Sequence, residues 1–332
     1  MATIKEIAKE TGFSPSTVSI VLRGKSVVRS ISEKTTEEIL EAAHRLGYRA
    51  NLAARRLRAN QGSRVTISVF MALDIRANFM VRFLLGLQSI EAEHEQPFDL
   101  VIHSYKSDSL YLLADTIALT HCAIICNASE EDMSFLDRAQ YAIPIVLFMR
   151  ESTTYCTVGM AHRQIATMAA DILARRGHKT VVLINTDSFF HVMKQTVDEF
   201  HKAANRKGLA VTGMNGDYSM RGGHSIGMAI AKMEPLPDCV LNLYNRMAVG
   251  VLRALRDEGV KVPEQIELIS IGSDSSEYEE FAGVSISTLH LPLDKMAEEC
   301  VRLLFLQLDG KLTVPCAVEV PVIYVARETC GE

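Results

Sequence analysis

No stretch of the 332-residue chain is apolar for the roughly 18–20 residues that a bilayer-spanning helix takes. The longest apolar runs, such as IPIVLFM over 143–149, stop far short. The opening MATIKEIAKE has no apolar segment behind its lysines, which predicts no secretory leader. The seven cysteines are an odd number, scattered from Cys122 to Cys330 without a short-spaced pair of pairs. That spacing argues against a disulfide framework and predicts buried thiols in a reducing compartment. His121, Cys122 and Cys126 offer no second pair of ligands, and Cys122, Ile124 and Cys126 alternate as in a strand, so no metal is expected. No P-loop and no G-x-G-x-x-G occurs, which argues against nucleotide cofactors. What is present is ordinary globular composition: 48% hydrophobic, 23% charged, 19 Gly and 9 Pro. This excludes a disordered, collagen-like or low-complexity chain. The expectation is a cytoplasmic protein of two or more domains, at about 150 residues per domain, with no membrane association.

Charge is divided along the chain. Residues 1–62 carry eleven Lys or Arg against six Glu, a surplus of +5, so the other 270 residues carry −10 against the whole chain's −5. A basic head on an acidic body suits a head that meets a polyanion and a body that does not.

The residues of the head sharpen that reading. Thr3-Ile4-Lys5-Glu6 has the spacing of a capping box, and Ile4, Ile7 and Ala8 fall on one helical face. Gly12 allows a left-handed turn, and Ser14-Pro15 restarts a helix with a capping hydroxyl and a proline at its first position. Val18, Val21 and Leu22 give the second helix its apolar stripe. A third helix runs from the Ser32 cap through Ile39, Leu40, Ala43 and Leu46 to Gly47. Two short helices at a steep angle, the second opening on Ser14, Ser16, Thr17 and Ser19, suit insertion into a major groove. Short hydroxyl donors let such a helix sit close to phosphates and base edges.

TIKEIAKETGFSPSTVSIVL, followed by EEILEAAHRLGY and NLAARRLR, resembles the N-terminus of lactose-repressor-type (LacI/GalR) transcription regulators, and the length of the chain fits that family. The resemblance implies that Thr3, Ser14, Pro15, Ser16, Thr17, Ser19, Ile20, Arg23 and Tyr48 face DNA. It implies also that residues 51–58 form a hinge helix in the minor groove. There Leu57 would enter a base step, with Asn51, Ala54, Arg55 and Arg58 around it. The segment AARRLR is helix-prone yet too short to be a stable helix alone, and Arg49, Arg55, Arg56 and Arg58 supply phosphate attraction. Three features depart from the family: a longer connection over 24–33, Ala50 where Pro is common, and Ile20 where Arg or His often reaches a base. Isoleucine offers only methyl contact, to a thymine for example.

After Gly62-Ser63 apolar strands alternate with amphipathic helices. Strands are expected over 65–71, 98–103, 122–126, 143–148, 180–185, 239–243, 267–271 and 285–291. Helices are expected over 79–95, 164–176, 192–207, 246–258 and 293–308. That alternation predicts parallel sheets covered by helices on both faces, in two doubly wound lobes with a ligand cleft at the strand carboxyl ends. The fold class expected is therefore α/β with an all-α helix-turn-helix head, and the resemblance implies that the two-lobed body is periplasmic-binding-protein-like. By resemblance the domains are 1–50 (DNA-binding), 51–62 (hinge) and 63–332 (effector-sensing and dimerisation). Lobe 1 then spans about 63–160 and 292–320, and lobe 2 about 161–291 and 321–332.

The resemblance carries Asp74, Phe79, Asn127 and Asp274 onto effector-contacting places. Around them Arg76, His162, His191, Lys194, Thr196 and Tyr244 complete the expected lining. Several family positions are changed: the usual Asp-Asn pair is Ala161-His162, a later Arg is Thr196, and the next Asn-Asp is Tyr244-Asn245. Losing an acid, an arginine and an amide removes bidentate partners for a polyhydroxy ligand.

Gly223-His224-Ser225-Ile226-Gly227 matches the G-x-S-x-G nucleophile elbow, but 218–222 reads as a loop where that motif requires a strand. The segment reads instead as the start of a helix. The expected function is a dimeric, sequence-specific repressor that binds a pseudo-palindromic operator. A small-molecule effector, a sugar or related metabolite, would modulate it; no cofactor, no enzyme activity and no coiled-coil tetramer are expected. Two alternatives stand beside this: the same regulator answering to a protein co-regulator or to nothing, and, more remotely, a hydrolase using Ser225.

Overall fold

The computed structural model describes residues 4–21, 31–45, 64–73, 77–93, 96–186, 191–272 and 277–331. The head holds α1 (Ile4–Thr11), α2 (Pro15–Val21) and α3 (Glu33–Arg45). Ile7, Ala8, Val18, Val21, Ile39, Ala42 and Ala43 close a small core between them, with Phe13 and Ile31 packed against it. Gly12 turns the chain at φ +74°, where a side chain would be strained. Leu22 and Leu46 lie outside the described residues, as does Thr3 of the expected capping box.

The body is built on two six-stranded sheets. The first contains β1 (Val65–Ala72), β2 (Phe98–Tyr105), β3 (Cys122–Cys126), β4 (Ile145–Phe148), β5 (Cys156–Met160) and β11 (Ala317–Val320). Its order is β11-β5-β4-β3-β1-β2. The second contains β6 (Thr180–Thr186), β7 (Ala210–Gly216), β8 (Cys239–Asn242), β9 (Glu267–Gly272), β10 (Ser287–His290) and β12 (Ile323–Val325). Its order is β12-β10-β9-β8-β6-β7. Every pair is parallel except β10 with β12, so the second sheet carries an antiparallel edge that the sequence pattern did not reveal. The chain passes between sheets after Met160, after His290 and between Val320 and Ile323.

Between the strands lie α4 (Ala77–Glu93), α5 (Ala114–Leu119), α6 (Glu130–Ala139), α7 (His162–Arg175) and α8 (His191–Lys207). They are followed by α9 (Met220–Ile230), α10 (Asn245–Asp257), α11 (Glu277–Glu280) and α12 (Leu293–Leu308). Alternation along β1 shows why helices flank both faces of the first sheet. Val69 and Met71 join Met80, Phe83 and Leu87 of α4 and Met296, Cys300 and Leu304 of α12. Phe70 and Ala72 point the other way, to Ile117 of α5 and to Met133 and Leu136 of α6. Strands buried on both faces are apolar at every position, which is why β3 reads CAIIC.

The segment 218–222 is not a loop throughout: α9 begins at Met220, capped by Ser219, whose Oγ accepts from the Gly222 amide at 3.0 Å. Its glycines let α9 cross α10 at backbone contact. A Cβ on Gly223 would lie 2.1 Å from the Met247 carbonyl oxygen, and one on Gly250 would lie 2.0 Å from that of Met220. Ser225 is exposed in mid-helix with no strand leading into it, so the nucleophile elbow is a chance match.

The C-terminal residues are clasped onto the second sheet. Glu267, at the start of β9, accepts from Arg176 Nε at 2.7 Å, lies 2.8 Å from His178 Nε2 and accepts from the Cys330 thiol at 3.0 Å. Thr329 Oγ1 donates to the Leu268 carbonyl at 2.7 Å. Burial by itself would raise the Glu267 carboxyl, but the hydrogen bonds from Arg176, Cys330 and His178 overcome it and bring its pKa from 4.5 to about 2. A depressed carboxyl contributes stability that is complete above pH 4.5 and lost as pH falls toward about 2. Urea unfolding across that window should show Glu267→Gln less stable than the parent at neutral pH. The difference should shrink on acidification; a difference that stays constant would mean that the ionised clasp contributes nothing.

Candidate DNA interface and inter-sheet cavity

At the start of α2 the Ser14 hydroxyl accepts from the Thr17 amide at 3.1 Å and lies 2.8 Å from Ser16 Oγ and 2.9 Å from Thr17 Oγ1. Ser14 is thus first a cap, fixing where the helix begins, and Pro15 occupies the first helical position as its locked φ favours. Ser14, Pro15 and Ser16 are exposed, and Thr17 and Ile20 are partly so, which leaves a small polar surface at the helix start. Ser19 lies in α2, its side chain outside the described residues. Glu10 and Arg45, 3.1 Å apart, tie α1 to α3, and the Ser32 hydroxyl caps α3 by accepting from the Thr35 amide at 3.1 Å. Arg23, Tyr48, Asn51, Ala54, Arg55, Leu57 and Arg58 lie outside the described residues.

In the body, strand order locates where a ligand would fit. The winding reverses at β1, which lies between β2 and β3, and again at β6, which lies between β7 and β8. Crevices open at the carboxyl ends of such strands. Asn127, just past β3, is buried at φ +51°; its amide donates to the Phe148 carbonyl at 3.1 Å and its Nδ2 to the Met80 sulfur at 3.2 Å. At the second crevice Tyr244 donates its hydroxyl to Asn185 Oδ1 at 3.4 Å and meets Tyr218 edge to face at 5.1 Å. Burial, with Tyr218 adding to it, raises the Tyr244 phenol far above its ordinary pKa and keeps it a neutral donor.

A cavity of about 870 Å³ lies between elements of the first sheet and the starts of α7 and α8. Met149, Arg150, Glu151 and Met160 line it from one side, His162 and Lys194 from the other. His162 Nδ1 lies 2.7 Å from Thr196 Oγ1, a bond that ties the first turn of α7 to α8. Burial lowers the His162 pKa, with Glu151 opposing, so the ring is neutral at neutral pH. Arg150 is held by Glu130 and Lys194 is exposed. His162 and Lys194 therefore share this cavity, with Thr196 buried behind His162, whereas Thr196, Asn127 and Tyr244 do not line it. Phe79 and His191 belong to α4 and α8, but their side chains lie outside the described residues, as do Asp74, Arg76 and Asp274 entirely. Met149 and Arg150 went unrecognised in the sequence because they directly follow an apolar strand with no motif around them. Among the described residues no group of three or more His, Cys, Asp or Glu could hold a metal ion, and no helix is long and apolar enough to cross a membrane.

Residues 3–51 match the bacterial regulatory proteins, lacI family, and residues 170–330 match the periplasmic binding protein-like domain. Catabolite control protein A of Priestia megaterium is 24% identical over 329 residues, covering 96% of each chain. A LacI-family transcription regulator from Clostridium acetobutylicum superposes with a TM-score of 0.75 at 26% identity, covering 80% of this chain and 100% of that one. The chain carries a LacI-family helix-turn-helix domain joined to a periplasmic-binding-protein-like domain.

With that domain pairing it is a DNA-binding regulator of transcription rather than an enzyme. The fold extends to full-length relatives: the lac repressor dimer bound to operator and the anti-inducer ONPF has a TM-score of 0.71 at 19% identity, covering 100% of this chain and 99% of that one. For this LacI-family head the cap at Ser14 has a measurable consequence. Ser14→Ala should destabilise the head by about 1 kcal/mol and Ser14→Gly by a few tenths. Hydrogen exchange of the α2 amides reads both, and equal, negligible effects would show the cap to be dispensable.

Proposed function

We propose that this protein is a homodimeric repressor whose two heads bind the halves of a pseudo-palindromic operator, released or retained according to a small molecule between the lobes. The observation that carries the reading is α2, a capped helix opening on exposed short hydroxyls within a head of charge +5. Residues 1–50 serve as the DNA-binding domain, 51–62 as hinge, and 63–332 as sensing and dimerising body in the cytoplasm. The lac repressor structure, which contains a dimer, an operator and an anti-inducer, supports the assembly by likeness of fold. Leu57 acts as the minor-groove wedge, and Arg55 and Arg58 hold phosphates.

Dimerisation is supported by exposed apolar side chains gathered on one edge of the first sheet. Val81 and Leu85 of α4 are 52% and 51% exposed, and Ile102 of the edge strand β2 is 53% exposed. An edge strand with apolar flanks invites a second copy. A two-fold pair then sets its recognition helices about one helical turn, ~34 Å, apart.

The effector is proposed to contact His162 and Lys194 at the cavity, with Thr196 holding His162 from behind; Asn127, Tyr244, Phe79, Asp74, Arg76, His191 and Asp274 are proposed as further contacts. Five carboxylates in the lining among the described residues, of Glu130, Asp137, Glu151, Asp198 and Glu319, beside Met149 and Met160 favour a ligand that carries a cationic group over one that carries a further acid. It would act by binding one lobe closure better than the other, a population shift limited by that differential affinity.

Leu57→Ala should weaken operator binding far more than binding to random duplex, because a wedge gains only where the step deforms. Arg55→Ala should weaken both and flatten the salt dependence by about one ion. Equal losses on both DNAs for Leu57→Ala would remove the wedge. Leu85→Asp should shift sedimentation from dimer to monomer and abolish tight operator binding; a dimer that persists would place the interface elsewhere.

A further inference from the structure

Cys316 differs from the other six cysteines: it is partly exposed, whereas they are buried. It stands immediately before β11, at the edge of the first sheet opposite to β2, so the proposed dimer leaves it uncovered. The ladder pairs Ala317 with Thr157 and Val318 with Val158, and the Thr157 amide donates to the Cys316 carbonyl at 2.8 Å. One step back along that parallel register, Cys316 lies beside Cys156, the first residue of β5.

The two thiols also share a face of the sheet. Cys156, Val158 and Met160 of β5 and Val320 of β11 enter the large core cluster, and Cys316 and Val318 pack against it. Side chains alternate along a strand, so this set lies on one side. Burial raises the Cys156 thiol, the Cys316 amide opposes that rise, and the Cys316 thiol adds to it, as expected of neighbouring groups. Paired strands lie about 4.8 Å apart, inside the roughly 4.4–6.8 Å Cα separation that disulfides take. The chain over 311–316 is irregular, so Cys316 can close what gap remains between the side chains. Of the other cysteines, Cys126 and Cys300 are enclosed in the core, and the Cys330 thiol is committed to Glu267.

We propose that Cys316 and Cys156 are a redox pair, joined in a reversible disulfide when the reduced protein meets a hydroperoxide. The peroxide transfers one oxygen to the accessible Cys316 sulfur, giving a sulfenic acid, and is itself reduced to water or an alcohol. The Cys156 sulfur then attacks that sulfur; its proton and the departing hydroxyl leave as water, and a thiol reductant reverses the bond. A redox-sensing pair is a use of cysteine that suits a reducing compartment. The bond staples β11 to β5, whose ends continue into two of the three connections between the sheets. On the same two strands Thr157, Gly159, Ala317 and Glu319 line the inter-sheet cavity. Lobe closure, and operator affinity with it, thereby answers to oxidation. That consequence rests on the function proposed above, whereas formation of the bond does not.

In the test, full-length protein is reduced, freed of reductant and exposed to hydrogen peroxide, and its thiols are counted after unfolding in guanidinium. Two of the seven should be lost and then restored by dithiothreitol. Digestion without reductant should show the peptides of Cys156 and Cys316 joined. Cys316→Ser should keep all six of its thiols. Cys156→Ala should accumulate a sulfenic acid at Cys316, trapped as its dimedone adduct. On an operator selected from a random duplex pool, oxidised and reduced parent should differ in affinity about fivefold or more, and Cys316→Ser should show no such difference. Seven thiols persisting in the folded parent, a bond mapped to any other pair, or a bond between two chains would overturn the site. A bond mapped to Cys156 and Cys316 with operator affinity unchanged would overturn the coupling. Failure to select any operator would count against the function proposed above, and the thiol count would still decide the site.

Discussion

Parallel pairing is the constraint on which the body depends. Parallel neighbours cannot be joined by a hairpin, so each needs a crossover, and the crossovers become the helices that shield the sheet. Wherever the winding reverses, neighbouring connections leave in opposite directions and open a crevice at the strand carboxyl ends. Both sheets do this, at β1 and at β6. Asn127 and Tyr244 stand beside those reversals, and the His162–Thr196 bond stands where the chain first leaves one sheet for the other. The positions proposed to sense a ligand are thus consequences of strand order.

The head obeys different physics. It is too small to hold much apolar surface, and its core is seven buried side chains with two partners packed against them. Short helices of this kind are marginal alone, which gives the caps at Ser14 and Ser32 and the Glu10–Arg45 pair their importance. Its charge belongs to its partner: +5 on the head against −10 on the body steers the first toward a polyanion and keeps the second away.

Much of this was legible in the residues. The central strands announced themselves as continuous apolar runs, and α12 was expected over the range that it occupies, Leu293–Leu308. The strands β5, β7, β11 and β12 were not foreseen. AVTGMNG in β7 and AVEV in β11 are partly exposed edge strands, and β12 has only three residues, so little burial shapes their sequence. The start of α9 was hidden by Gly222 and Gly223, which look like loop residues until α10 is seen crossing at backbone contact. For the cavity, His162 and Thr196 could each be singled out as departures from the family pattern. That the two departures bond to each other is a tertiary fact, which sequence spacing of 34 residues does not disclose.

The central claim is that a pair of basic heads reads one symmetric DNA sequence while the acidic body decides when. Selection of bound fragments from a random duplex pool by the purified full-length protein tests it most directly. The account predicts enrichment of a single inverted repeat whose half-sites lie about one helical turn apart. Recovery of fragments with no shared palindrome, at moderate ionic strength and with the protein folded, would contradict it.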